Sequence, residues 1–240
     1  MQSVLFPLLA VLAVLAGYLI GSLSFAVIVS RLMGLSDPRS YGSGNPGATN
    51  VLRSGNKAAA ILTLVFDALK GYLPVVLVLK FGPPYGLEEG TAALVGLAAF
   101  VGHLWPVFFK FIGGKGVATA AGVLLAINPW LGLSVLGVWI AMAVVFRYSS
   151  LASLAAAVAA PLLQMLVWDV GPELPAIALM SLLLIWRHAA NIKKLMAGTE
   201  SKLGQKAAPA AAPAAKSHRH EQSREKREHK HSHKPRQHNK

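Results

Sequence analysis

Residues 113–116 read Gly-Gly-Lys-Gly and stand immediately before an apolar run. Backbone N–H groups at the start of a helix favour an anion, and a lysine among glycines adds a full positive charge at the same place. The stretch is not a nucleotide-binding P-loop. That motif needs Gly five residues before its last Gly and Ser or Thr after the Lys, and those positions here are Phe109 and Gly116. A second polar stretch, YGSGNPGATNVLR, occupies residues 41–53. Ser43, Thr49 and Asn50 offer side-chain donors there, and the Arg53 guanidinium can grip a phosphate with two parallel hydrogen bonds. Either loop alone could be a turn between helices, capped by Thr49 or Asn50. Two anion-ready loops in one chain point instead to substrates that carry two phosphates between them.

Other polar residues border these loops. His188 and Asn191 are three apart and share a helix face, with Glu200 and Lys202 close behind in sequence. His103 opens the segment that leads to Gly113. Asp67 and Lys70 are one turn apart inside an apolar run, where charges default to a functional reading, although a plain intramembrane ion pair also fits. Ser149 and Ser150 stand where a helix starts, and either caps it or donates to a phosphate.

The elements that must hold these residues are hydrophobic. The chain is 54% hydrophobic and only 14% charged over 240 residues, too apolar for an ordinary soluble domain. It has no Cys, which excludes disulfides, thiolate metal sites and a Cys nucleophile. Seven hydrophobic segments are legible, at residues 4–30, 58–80, 91–109, 117–127, 130–146, 151–168 and 174–186. The first lacks the basic lead of a signal peptide and is long enough to be a retained span, since a span needs about 20 apolar residues. The fourth is about half that length. It is expected to be a short helix buried against its neighbours, divided from the fifth by a turn at Asn128-Pro129. The expected fold class is therefore an all-α integral membrane protein with seven transmembrane helices, one of them short.

Charge gives the orientation. Arg31, Arg39, Arg53, Lys57, Lys110, Lys115, Arg147, Arg187, Lys193 and Lys194 fall in one set of loops. Glu88, Glu89, Asp169 and Glu173 fall in the other. The positive-inside rule places the first set, and with it every polar motif, in the cytoplasm, with the N-terminus outside. The net charge of +13 is unevenly placed. Residues 1–200 hold twelve Lys and Arg against seven Asp and Glu, and residues 201–240 hold eleven against three. The basic pI thus describes the tail and gives no case for a nucleic-acid-binding domain. The expected division is a membrane domain at 1–203 and a disordered tail at 204–240, Ala/Pro-rich and then Lys/Arg/His-rich. Such a tail suits anionic lipid headgroups. Six of the eight His lie in it, without metal-ligand spacing.

The motifs SGNPGATNVLR, GHLWPVFFKFIGGKGVAT and HAANIKKLMAGTESK together resemble the bacterial acyl-phosphate:glycerol-3-phosphate acyltransferases of the PlsY type, in order and spacing over residues 1–202. The resemblance implies a seven-helix enzyme of the bacterial inner membrane with its active site facing the cytoplasm. It implies transfer of a fatty acyl group from acyl phosphate to the 1-hydroxyl of glycerol 3-phosphate, the first acylation of phospholipid synthesis, with no cofactor and no metal. Ser43, Arg53, Lys115, His188 and Asn191 carry over as catalytic positions. Ser150, Asn45, Thr49, Asn50, Lys70, Glu200 and the glycines Gly113, Gly114 and Gly116 carry over as substrate-binding positions.

The chemistry agrees with the residues. Acyl phosphate is an activated anhydride, so catalysis needs a grip on the leaving phosphate and on the developing oxyanion, together with a positioned hydroxyl. Lys115 with the N–H groups around Gly114 suits the first task, and Arg53 with Ser43 suits the second phosphate. His188 and Asp67 are both eligible as the base; the resemblance favours a substrate phosphate oxygen, with His188 as a hydrogen-bonding positioner. The acyltransferase class that pairs His with an Asp five residues on is disfavoured, because those positions are Phe108 and Lys193. A transporter of phosphorylated metabolites is the rival class. Transporters commonly repeat their helix breaks in two halves, and neither SGNPGATN nor GGKG has a second copy.

Overall fold

The computed structural model describes residues 2–205. The expectation for the tail therefore lies outside the described residues beyond Gln205. Among the described residues there are ten α-helices and no strand. They are α1 (Gln2–Gly21), α2 (Phe25–Leu32), α3 (Ala48–Leu52), α4 (Lys57–Phe81), α5 (Glu89–Leu104), α6 (Val117–Ile127), α7 (Pro129–Phe146), α8 (Ser149–Val167), α9 (Leu174–Arg187) and α10 (Ala189–Met196).

Five helical stretches are long and apolar enough to cross a membrane, and α9 with α10 makes a sixth if that pair, bent by 55°, is counted as one span. Seven full spans is therefore more than these lengths support. The eleven residues of α6 rise about 16 Å at 1.5 Å each, roughly half of a ~30 Å hydrocarbon core. The helix packs against α4 and α7, as its short length required. Asn128 ends α6 and caps α7, its Oδ1 accepting from the N–H groups of Trp130 and Leu131. Pro129 follows at the first helical position, where it loses no hydrogen bond.

The segment at 4–30 is not one helix. It breaks at residues 22–24 between α1 and α2. Ser22 donates from both its N–H and its hydroxyl to the Tyr18 carbonyl. The Leu23 carbonyl, freed by the break, accepts from Lys70 Nζ at 2.7 Å. An intramembrane break needs such a partner, because lipid offers none. The segment at 91–109 also ends early. α5 stops at Leu104, and a 3-10 turn at Val107–Phe109 follows.

Small residues set the packing. A Cβ at Gly21 would fall 2.0 Å from the Ala99 carbonyl oxygen, and one at Gly122 would fall 2.0 Å from that of Ala68. α1 thus lies backbone to backbone on α5, and α6 on α4, the close approach that small residues permit in membranes. The main core, around Phe100, Leu104, Val123, Leu131 and Ile177, holds α5, α6 and α9, which adjoin two of the polar loops.

Candidate active site

All four polar loops meet at one end of the bundle. Arg53 Nη2, at the end of α3, donates to Ser201 Oγ. Lys115 Nζ donates to Asn191 Oδ1 on α10. Asn191 Nδ2 donates to Glu200 Oε1 at 2.7 Å, and the same oxygen accepts from Ser150 Oγ on α8 at 2.8 Å. Thr49 Oγ1 lies 3.4 Å from Ser149 Oγ. The Leu203 N–H donates to the Arg147 carbonyl at 2.7 Å and ties the segment after α10 to the α7–α8 turn. The product is a ring of two cations, an amide, two serine hydroxyls and one carboxylate. Its members come from positions 53, 115, 150, 191, 200 and 201.

The first loop is held by Asn50. That side chain is buried, donates to the carbonyls of Pro38 (2.7 Å) and Tyr41 (3.2 Å), and accepts from the Ser43 N–H (3.0 Å). Its hydrogen-bonding groups shape the loop. α3 is capped at Gly47, with no side-chain cap from Thr49 or Asn50. Ser43 and Thr49 are left on the exposed side of the loop, and Asn45 is half-buried beside Pro46.

The Gly113–Gly116 turn is built by contact. A Cβ at Gly113 would sit 2.2 Å from the His103 carbonyl oxygen. One at Gly114 would sit 2.3 Å from His103 Nε2 and 2.9 Å from the Pro46 carbonyl oxygen. Gly116 turns left-handed at φ +81° to start α6. The Gly114 N–H donates to the His103 carbonyl at 3.1 Å. That N–H is engaged within the turn, while the first-turn N–H groups of α6 are the ones that a helix leaves unpaired. Burial pushes the Lys115 ammonium down to about 8, and the Arg187, Lys194 and Arg53 charges reinforce the shift, while Glu200 opposes it.

His188 is buried at the junction of α9 and α10, with Nδ1 2.8 Å from the Leu184 carbonyl. A carbonyl only accepts, so Nδ1 carries the proton and Nε2 of the neutral ring is an acceptor. Lys70 is not brought to the ring. It is buried, its ammonium 2.8 Å from Asp67 Oδ1 and bonded to Leu23 O. There it closes the break in the first segment. Asp67 also lies 3.6 Å from His103 Nδ1, so this buried group stands behind Gly114 and outside the ring. Ser149 and Ser150 lie in the first turn of α8, whose cap position is Tyr148. Ser150 spends its hydroxyl on Glu200.

Arg187 and Ser201 were not singled out by the sequence as site residues. Arg187 donates from Nη2 to the carbonyls of Gly113 and Gly114, both at 2.9 Å, and from Nε to Gly114 at 3.1 Å. It braces the turn that presents Lys115. The only signal in the sequence was its place beside His188. Arg187→Lys replaces a two-carbonyl fork by a point donor. The expected loss in kcat/KM is about a hundredfold, the cost of slight misplacement, with an unchanged melting temperature; steady-state kinetics beside a thermal melt checks both.

Fold and ring together define a helical integral membrane protein that gathers cations and hydroxyls at one end of its bundle. The family model described as glycerol-3-phosphate acyltransferase matches residues 11–198. The chain is 63% identical over 212 residues to a glycerol-3-phosphate acyltransferase of Albidiferax ferrireducens, covering 86% of this chain and 93% of that one. It is 63% identical over 194 residues to one of Ralstonia nicotianae, covering 81% and 94%. The crystal structure of PlsY (YgiH), an integral membrane glycerol 3-phosphate acyltransferase, is similar in its glycerol 3-phosphate form, with TM-score 0.76, 38% identity and coverage of 81% and 96%. Its lysophosphatidic acid form gives TM-score 0.74 and 37% identity. The chain belongs to the glycerol-3-phosphate acyltransferase family.

Proposed function

We propose that this chain transfers a fatty acyl group from acyl phosphate to the sn-1 hydroxyl of glycerol 3-phosphate. The products are 1-acyl-glycerol 3-phosphate and inorganic phosphate. The reaction takes place at the cytoplasmic face of a bacterial inner membrane, with the N-terminus outside. The observation that carries this reading is the linked set Lys115–Asn191–Glu200–Ser150 with Arg53 on the adjoining loop. It offers two separate cationic points, enough for one phosphate on each substrate.

In this reading the glycerol hydroxyl oxygen attacks the acyl carbonyl carbon, and the bond from that carbon to the phosphate oxygen breaks. The electron pair leaves with the phosphate. Lys115 and the first turn of α6 hold that phosphate as its charge grows. Arg53, with Ser43 at the loop's exposed side, holds the phosphate of glycerol 3-phosphate. His188 Nε2 and Asn191 orient the hydroxyl, and the hydroxyl proton passes to a phosphate oxygen. No residue needs to be acylated. Asn45 and Thr49 complete the first loop's polar edge, and Glu200 keeps Asn191 and Ser150 in register.

The test is phosphate release by purified protein given palmitoyl phosphate, with and without glycerol 3-phosphate, and with palmitoyl-CoA in a parallel tube. The expected result is release that requires glycerol 3-phosphate, matched by lysophosphatidic acid, and none of that product with the CoA ester. Equal product from the CoA ester would remove acyl phosphate as the defining donor. No product from either donor with folded protein would sink the reading.

A further inference from the structure

Residues 107–112, between α5 and the Gly113–Gly116 turn, form an apolar knob at the polar end of the bundle. Val107, Phe108, Phe111 and Ile112 are 38%, 57%, 57% and 55% exposed. The knob is not slack. The N–H groups of Phe109 and Phe111 both donate to the Pro106 carbonyl, at 3.0 and 2.9 Å, and Ile112 N–H donates to Phe109 O at 3.1 Å. Two successive non-glycine residues, Lys110 (φ 56°) and Phe111 (φ 59°), are held left-handed. That conformation disfavours L-residues and persists only where the surroundings impose it. Phe108 and Phe111 are left exposed, with Lys110 between them in sequence.

Exposed aromatics beside a lysine are the pattern of a surface seated at the headgroup–acyl boundary, rings in the hydrocarbon and ammonium among anionic headgroups. The knob is continuous with α5, whose stretch Glu89–Phe109 is long and apolar enough to cross a membrane, and Ile112 is bonded directly to Gly113. We propose that residues 107–112 insert into the lipid leaflet and hand a long-chain acyl substrate from the bilayer to the Gly113–Gly116 turn. This rests on the acyl-phosphate reading only for the identity of what is handed over. The insertion itself does not depend on it.

The chain has no Cys, so single labels are clean. Phe111→Cys carrying bimane, in vesicles with lipids brominated near the top of their acyl chains, is compared with Gln205→Cys, an exposed site. Quenching several-fold stronger at position 111 is expected, and equal quenching would overturn insertion and leave the knob to a soluble partner. In the second arm, Phe108→Ser with Phe111→Ser is assayed in vesicles with palmitoyl phosphate and with water-soluble butyryl phosphate. The ratio of their kcat/KM values is expected to fall about tenfold, the discrimination that apolar contact supplies, and an unchanged ratio would overturn the hand-over. If wild-type protein turns over neither donor, the functional reading has failed, and the quenching arm still decides the knob.

Discussion

Lys70→Met is expected to cost about 3–5 kcal/mol of stability, because it strands a buried charge whose partner has been removed. It is the largest stability effect predicted for any single side chain of the bundle. Lys70 and Asp67 are 3% and 2% exposed and lie inside α4. The ammonium also satisfies Leu23 O, which the break between α1 and α2 leaves open. Met fills the space of the stem but leaves the Asp67 carboxylate and a backbone carbonyl without that donor. His103, at 3.6 Å, is too distant to substitute. The measurement is thermal unfolding in detergent, with Asp67→Asn/Lys70→Met alongside. The double variant removes both charges and is expected to recover most of the loss. A single variant that melts with the wild type would show that the pair contributes nothing, and one no worse than the double would assign the loss to Leu23 O instead.

The polar motifs were legible because each stands out against an apolar background, and their convergence followed from loop charge alone. The hydrophobic segments were legible as membrane helices for the same reason. What the pattern hides is whether a break within an apolar run will be tolerated. Within residues 4–30, Gly21, Ser22 and Ser24 stand at the place, but the partner that makes the break tolerable is Lys70, 47 positions away from Leu23. Roles within the site were hidden in the same way. Asn50 and Ser43 look equivalent in sequence, yet Asn50 turns inward and shapes the loop. Gly114 looks like a phosphate donor, but its N–H is taken by His103 across the turn. Arg187 resembled an orientation charge because its acceptors, the carbonyls of Gly113 and Gly114, carry no side-chain signal. Sequence thus marks which loops act. Which member of a loop faces the ligand is decided by backbone carbonyls and contacts far along the chain.

Lys115→Ala is expected to lower kcat/KM for glycerol-3-phosphate acylation by about 10²–10³, the cost of removing one positioned donor from a developing charge. The loss falls mainly in kcat if Lys115 holds the leaving phosphate, and mainly in KM for glycerol 3-phosphate if it holds that substrate instead. The pH dependence separates this from a fold defect. Burial brings the free protein's ammonium down to about 8, so its charge is lost as pH rises through that value. Phosphate monoesters are dianions there, their second pKa being about 6. Wild-type affinity for inorganic phosphate is therefore expected to weaken as pH climbs past about 8, whereas Lys115→Ala shows no such step. Ligand-free stability moves the other way. The protonated form is the one that burial penalises, so the penalty is complete below pH 8 and lifts as pH rises toward the unfolded value of 10.5. Phosphate titrations and thermal melts from pH 7 to 9.5 check both signs. Parallel losses of affinity and stability would assign the step to unfolding, and a step retained in Lys115→Ala would assign it to another group.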